Sequence, residues 1–317
     1  MQPFHCLYRV DQTPTEQLIN YSGVLVPFTP EEKIDVVSLR NLIEYLIDGG
    51  VHGIWAAGTS GEFSSLSDPE RLLLMETVAE QVNGRIPIIG NISATSTKLA
   101  VKLAKECSDI GIDGLAVTPP YYYDSSQSEL LDHFTQIKHI TNLPLWVYNI
   151  PSTVKTTVEP STIAALAKDS IVIGIKDSSG TGEKLAELTY LCTRDKIKLK
   201  IFLGSVYRMP YAQKLDAHGV IPSDANLIPS YAVKAWESGR SNSNNQAGIY
   251  MDKIHAASKI QYLSKSGAAI SSKLAGIKSG LKELGIIEYD NMSSPLKSLT
   301  QEEKTPIKGI LKSAGLL

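Results

Sequence analysis

The chain has 317 residues, 43% of them hydrophobic and 20% charged, and a formal net charge of −2. This is the composition of a soluble globular protein with a large core, and the near-neutral balance without a basic run argues against a nucleic-acid partner. No apolar stretch approaches the roughly 18 residues of a membrane span, so no membrane association is expected.

Residues 1–20 carry His5, Arg9, Asp11 and Glu16 with no apolar core, so they are expected to form a polar N-terminal extension and not a signal peptide. Residues 22–28 read as a first strand and residues 36–48 as a helix, with Val36, Leu39, Leu42, Ile43, Leu46 and Ile47 at helical spacing. Residues 51–57 form a second strand that runs into Gly58-Thr59-Ser60-Gly61-Glu62. Ser67-Asp68-Pro69-Glu70 has the form of a capping box, opening a helix to about Val82. The alternation continues with strands over residues 86–91, 114–118, 143–149, 171–176, 200–203 and 219–222. Helices fall between and after them over 96–110, 126–140, 159–167, 182–192, 207–215 and 229–238. Eight strand–helix units with no dinucleotide fingerprint after the first strand predict a closed (β/α)8 TIM barrel over residues 21–240. The Ser/Asn-rich residues 240–245 read as a linker. Helices at 249–263, 268–284 and 301–313 then make a C-terminal helical segment, residues 241–317, its last helix capped by Thr300-Gln301-Glu302-Glu303. Cys6, Cys107 and Cys192 are distant and odd in number, which fits reduced thiols and a cytoplasmic protein.

Barrels of this kind present their chemistry at the C-terminal ends of the strands. The sixth strand there delivers Lys176, which an apolar run should least tolerate. Gly174 lies on the same face, two positions earlier, and leaves space for the lysine stem. An amine held there loses solvation, which disfavours its charged form and suits a Schiff-base nucleophile; the bland alternative is a lysine snorkelling into water. The other strand ends supply Thr59-Ser60 in a glycine-flanked turn, Thr118-Pro119-Pro120-Tyr121-Tyr122-Tyr123, Tyr148-Asn149-Ile150-Pro151-Ser152, then Ser178, and Gly204-Ser205-Val206-Tyr207-Arg208. Each has a structural reading: a plain turn, a stiff interface loop, a barrel-filling tyrosine. Together they suffice for carbonyl chemistry, with an amine to attack, a phenol to relay protons, and hydroxyls with backbone N–H groups to hold a carboxylate. No histidine pair or acidic cluster has metal-ligand spacing, so no metal is expected.

Four motifs, in order, resemble the dihydrodipicolinate synthase / N-acetylneuraminate lyase family of class I pyruvate-handling aldolases. They are Gly58-Thr59-Ser60-Gly61-Glu62, Thr118 to Tyr123, Tyr148-Asn149-Ile150-Pro151 and Gly174-Ile175-Lys176-Asp177. The resemblance implies that Lys176 forms an imine with pyruvate or another 2-oxo acid and that Tyr148 shuttles protons. Thr59 would link Tyr148 to a Tyr122 reaching in from a neighbouring subunit of a dimer or tetramer. It further implies that Gly58, Thr59 and Ser60 seat the carboxylate, that the Ile221 carbonyl lines the same pocket, and that no cofactor is needed beyond the covalent imine.

Two departures bear on the second substrate, an aldehyde. Family synthases carry an arginine where this chain has Thr153, and sialate lyases carry acidic residues where it has Ser205-Val206-Tyr207. Ser178 matches the hydroxyl used by sugar-cleaving members, Gly204 lines the same rim, and Arg208 could supply an anion contact. The expectation is therefore an aldolase for a 2-keto-3-deoxy sugar acid or related 2-oxo acid. The alternatives are a dihydrodipicolinate synthase with altered carboxylate recognition, a dehydratase on the same scaffold, or a 2-oxo-acid-binding sensor.

Overall fold

Eight short parallel strands close on themselves in chain order: β1 (Ile19–Gly23), β2 (Gly53–Ala56), β3 (Ile88–Asn91), β4 (Gly114–Val117), β5 (Leu145–Asn149), β6 (Gly174–Asp177), β7 (Lys200–Leu203) and β8 (Gly219–Val220). Closure is made by β1 against β8, with Ile19 opposite Gly219 and Asn20 opposite Val220. The computed structural model describes residues 19–241 and 243–317. Residues 1–18 of the expected N-terminal extension, Cys6 among them, lie outside the described residues. The helices are α1 (Val36–Asp48), α2 (Asp68–Val82), α3 (Thr97–Glu106), α4 (Gln127–Lys138), α5 (Pro151–Val154), α6 (Pro160–Lys168), α7 (Gly182–Arg194), α8 (Pro229–Arg240), α9 (Asn244–Ser258), α10 (Ala269–Glu283), α11 (Gln301–Lys304) and α12 (Ile307–Ala314). This is a (β/α)8 barrel with C-terminal helices.

Alternation along each strand sorts the side chains into two cores. Outward residues such as Ile54, Leu115, Val117, Val147 and Ile175 pack under the helices, each fully buried apolar side chain contributing about 1.5–3 kcal/mol. Inward residues, among them Tyr21, Trp55, Trp146, Tyr148, Phe202 and Ile221, fill the barrel. Such large rings fit because glycine stands beside them. A Cβ on Gly53 would lie 1.6 Å from Tyr21 Cε1, and one on Gly174 would lie 2.2 Å from Trp146 Cζ3. Gly174 therefore makes room for Trp146 on the neighbouring strand, and not for the lysine stem as the sequence suggested.

Local chemistry explains the element ends. All three expected capping boxes form, Ser67 with Glu70, Ser126 with Glu129 and Thr300 with Glu303. The first strand lies upstream of the expected residues 22–28. Val24, Leu25 and Val26 are buried, but the Leu25 N–H donates to Asn226 Oδ1 at 3.0 Å and not to a neighbouring strand. The expected helix over 207–215 is a 3-10 helix, Val206–Leu215, with Pro210 inside it. The expected helix over 301–313 is divided into α11 and α12 around Pro306. The expected linker at 240–245 is entered by helix from both ends, since α8 runs to Arg240 and α9 begins at Asn244 and packs on α8.

Candidate active site

Lys176 and Tyr148 are register partners on β6 and β5, so both project into the barrel at one level. Lys176 is 6% exposed and Tyr148 2%. The Lys176 Nζ lies 4.2 Å from the centroid of the Tyr148 ring and 5.0 Å from that of Trp55. The two rings meet edge-on, with centroids 5.5 Å apart. The amine is thus held between aromatic faces and out of bulk water. The Tyr148 hydroxyl shares a hydrogen bond of 3.0 Å with Thr59 Oγ1, in which either oxygen can donate.

Thr59 belongs to a single 3-10 turn, Thr59–Gly61, directly after β2. Ala57 and Glu62, on either side of it, both have φ of 52°, a left-handed conformation that is costly for side chains with a Cβ. Gly58 is required by the pocket wall, since a Cβ there would lie 2.9 Å from Trp55 Cδ1. Ser60 Oγ and Ile221 Cγ2 lie 3.7 and 3.9 Å from the point a Cβ on Gly23 would occupy, so Ser60, Ile221 and the bare Gly23 backbone converge.

Across the mouth, Ser178 stands over Gly204. A Cβ on Gly204 would come within 2.2 Å of Ser178 Oγ, so the bare glycine leaves that hydroxyl its present position. Arg208 is half-buried and donates through Nη2 to the Gly180 carbonyl at 2.7 Å, which ties the loop after β7 to the loop after β6. Asp177 follows Lys176 and faces the other way, into the helix layer. It accepts from Asn149 Nδ2 at 3.0 Å and Ser179 Oγ at 3.0 Å; burial pushes its carboxyl up, and these donors pull it part of the way back.

Within one chain Tyr122 is not brought to Thr59. It is 79% exposed, sits at φ 96°, and its ring packs edge-on against Tyr123, with centroids 5.0 Å apart. Thr153 is exposed, and its hydroxyl turns back onto the Ile150 carbonyl at 3.1 Å. Among the described residues, no three His, Cys, Asp or Glu side chains are grouped to hold a metal ion, and no helix is long and apolar enough to cross a membrane.

Sequence reasoning missed two contributors. Trp55 reads as a strand residue, and only closure of the barrel turns it under the lysine. Glu62 stood in the turn motif without a role. The structure buries it completely against Lys278 of α10.

An amine, a phenol and a hydroxyl turn, gathered at the C-terminal mouth of a (β/α)8 barrel, define a site able to capture a carbonyl and move its protons. The chain belongs to the dihydrodipicolinate synthetase family, whose model matches residues 18–314. It is 30% identical over 298 residues to the 4-hydroxy-tetrahydrodipicolinate synthase of Thermodesulfovibrio yellowstonii, covering 93% of this chain and 97% of that one. Among solved structures it is similar to the dihydrodipicolinate synthase of Bacteroides thetaiotaomicron, with a TM-score of 0.87 at 30% identity over 94% of this chain and 99% of that one. It is also similar to the chloride-inhibited dihydrodipicolinate synthase of Acinetobacter baumannii complexed with pyruvate, with a TM-score of 0.84 at 27% identity over 95% of this chain and all of the other. The relatives named for this activity are lyases, and the lyase class fits this chain.

Proposed function

We propose that the protein is a class I aldolase that condenses pyruvate with an aldehyde, or runs the reverse cleavage, through an imine on Lys176. The observation that carries this reading is the buried Lys176 amine 4.2 Å from the Tyr148 ring, whose hydroxyl is bonded to Thr59. The amine attacks the ketone carbon of pyruvate, and the carbinolamine loses water to give the imine. Loss of a methyl proton gives the enamine, whose carbon attacks the aldehyde; water then releases the product and restores the amine. Tyr148 carries protons to and from these oxygens and carbons, with Thr59 as its hydrogen-bond partner. Ser60 and the backbone N–H groups of the turn seat the carboxylate beside the Ile221 carbonyl. The imine serves as the electron sink, so the proposed reaction uses no metal or organic cofactor. The two cysteines among the described residues, Cys107 and Cys192, are free, in keeping with the cytoplasm as its place.

For the second substrate, the relatives named 4-hydroxy-tetrahydrodipicolinate synthase support aspartate semialdehyde, so the synthase reading now stands ahead of the sugar-acid reading drawn from the sequence departures. Two observations favour the sugar-acid alternative. Thr153 offers no cation to a second carboxylate and bonds its own backbone, while Ser178 presents a hydroxyl over Gly204.

Borohydride reduction in the presence of pyruvate, followed by mass spectrometry, tests the chemistry. The adduct is expected on the peptide containing Lys176 and absent from Lys176→Ala; an unmodified wild-type protein would refute the proposal. A panel of aldehydes offered with pyruvate then separates the substrates. Turnover of aspartate semialdehyde above all sugar aldehydes supports the synthase reading, and the reverse order supports the sugar acid.

A further inference from the structure

The turn carrying Thr59 and Ser60 ends on Glu62, and Glu62 is fastened to the C-terminal part of the chain. Its carboxylate and the Lys278 ammonium of α10 form an ion pair in which both side chains are wholly inaccessible to solvent. Lys278 also donates to the Asn291 carbonyl at 2.9 Å and lies 4.4 Å from the centroid of the Phe28 ring. The other carboxylate oxygen accepts from the Ser293 N–H at 2.9 Å and from its hydroxyl at 2.6 Å. Both oxygens are therefore held by residues more than 200 positions away in sequence.

Such a pair is a poor means of gaining stability. Desolvating two charges offsets most of their attraction, and an apolar pair of equal volume commonly does as well or better. What the pair does supply is a single geometry, and the backbone it holds is one that needs holding. Ala57 and Glu62 flank the turn in the left-handed region, at a cost on the order of 1–3 kcal/mol each for such strained positions. The turn in between places Thr59 Oγ1 at 3.0 Å from the Tyr148 hydroxyl.

We propose that Glu62, clamped by Lys278 and Ser293, is a positioning residue that holds the strained Thr59–Ser60 turn in the form that sets Thr59 against Tyr148, so that the C-terminal helical segment fixes the geometry of the proton relay. This rests on the reading of Tyr148 and Thr59 as the relay.

Lys278→Met tests it from a residue remote from the reacting groups. With the synthase or aldolase assay, kcat is expected to fall about tenfold, with KM for pyruvate changed by less than about twofold. In a Thr59→Val background the same substitution is expected to cost less than about twofold, because the relay partner is already gone. Equal losses in both backgrounds would mark the ion pair as merely structural and overturn the proposal. A crystal structure of the variant gives a readout independent of activity. Separation of Thr59 Oγ1 from the Tyr148 hydroxyl beyond hydrogen-bond reach supports the proposal; an unchanged 3.0 Å contact overturns it. Should Lys278→Met fail to fold, Ser293→Ala, which removes one hydroxyl from the same carboxylate, takes its place in both measurements with the same deciding outcomes. Borohydride trapping on the wild-type protein is read alongside. Its failure removes the imine chemistry, while the structural comparison still decides the positioning role.

Discussion

At the scale of single residues, the site depends on where one phenol stands. Tyr148 is buried, bonded to Thr59 at 3.0 Å and packed beneath the Lys176 amine, so Tyr148→Phe keeps the packing and removes only the hydroxyl to which the proposed mechanism assigns the proton transfers. Turnover is expected to fall by roughly 10²–10⁴-fold, with pyruvate still trapped on Lys176 by borohydride; a near-normal kcat in that variant would take Tyr148 out of the mechanism. Lys176 was legible because a lysine interrupts an apolar strand at its mouth end, and Tyr148 because it opens the Tyr148-Asn149-Ile150-Pro151 motif of the family resemblance. The reason for Gly174 was not legible. Its missing side chain is demanded by Trp146, a cross-strand neighbour whose register is set only when the barrel closes. Trp55 was hidden for the same reason.

At the scale of elements, three helix starts were legible to within a residue because their caps are local. Ser67, Ser126 and Thr300 each meet a glutamate three positions on. The first strand was misplaced because burial alone does not make sheet. The run after Gly23 is apolar and buried, yet its Leu25 N–H is satisfied by the side chain of Asn226. One inter-element contact carries a pH dependence. His133 of α4 is buried, with Nδ1 2.9 Å from Thr97 Oγ1 of α3, and burial pulls its imidazolium down to about 4. The folded state then takes up a proton less readily than the unfolded chain. Stability from this group is full above about pH 6.5 and drains away as pH falls from there toward 4. Thermal unfolding followed between pH 7 and 4 should show a shallower loss for His133→Gln than for wild type, once each curve is referred to its own pH 7 value. Parallel curves would show that this imidazole does not contribute.

At the scale of the whole molecule, the exposed pair Tyr122 and Tyr123 projects from the barrel mouth with Tyr122 held at φ 96°. The role that the family resemblance implies for Tyr122, completing the relay of a second copy, would require a working unit of at least two chains. Complementation checks this. Tyr122→Ala and Lys176→Ala are each expected to be nearly inactive, and random mixing of the two should restore activity to about a quarter of the wild-type sites. No recovery after subunit exchange would confine Tyr122 to its own chain. The Glu62–Lys278 pair could not be read from sequence spacing, since it joins groups 216 positions apart that only the folded chain brings near one another.

The placement of Trp55 has a practical consequence. The chain holds three tryptophans, Trp55, Trp146 and Trp236, and the indole of Trp55 faces the Lys176 nitrogen at 5.0 Å. Turning that nitrogen into the proposed iminium would change the electric field across the indole, so intrinsic fluorescence should shift when pyruvate is added. Trp55→Phe should silence the signal while Trp236→Phe leaves it intact. The barrel would thus carry its own optical gauge of the proposed covalent step, readable by stopped flow without any label.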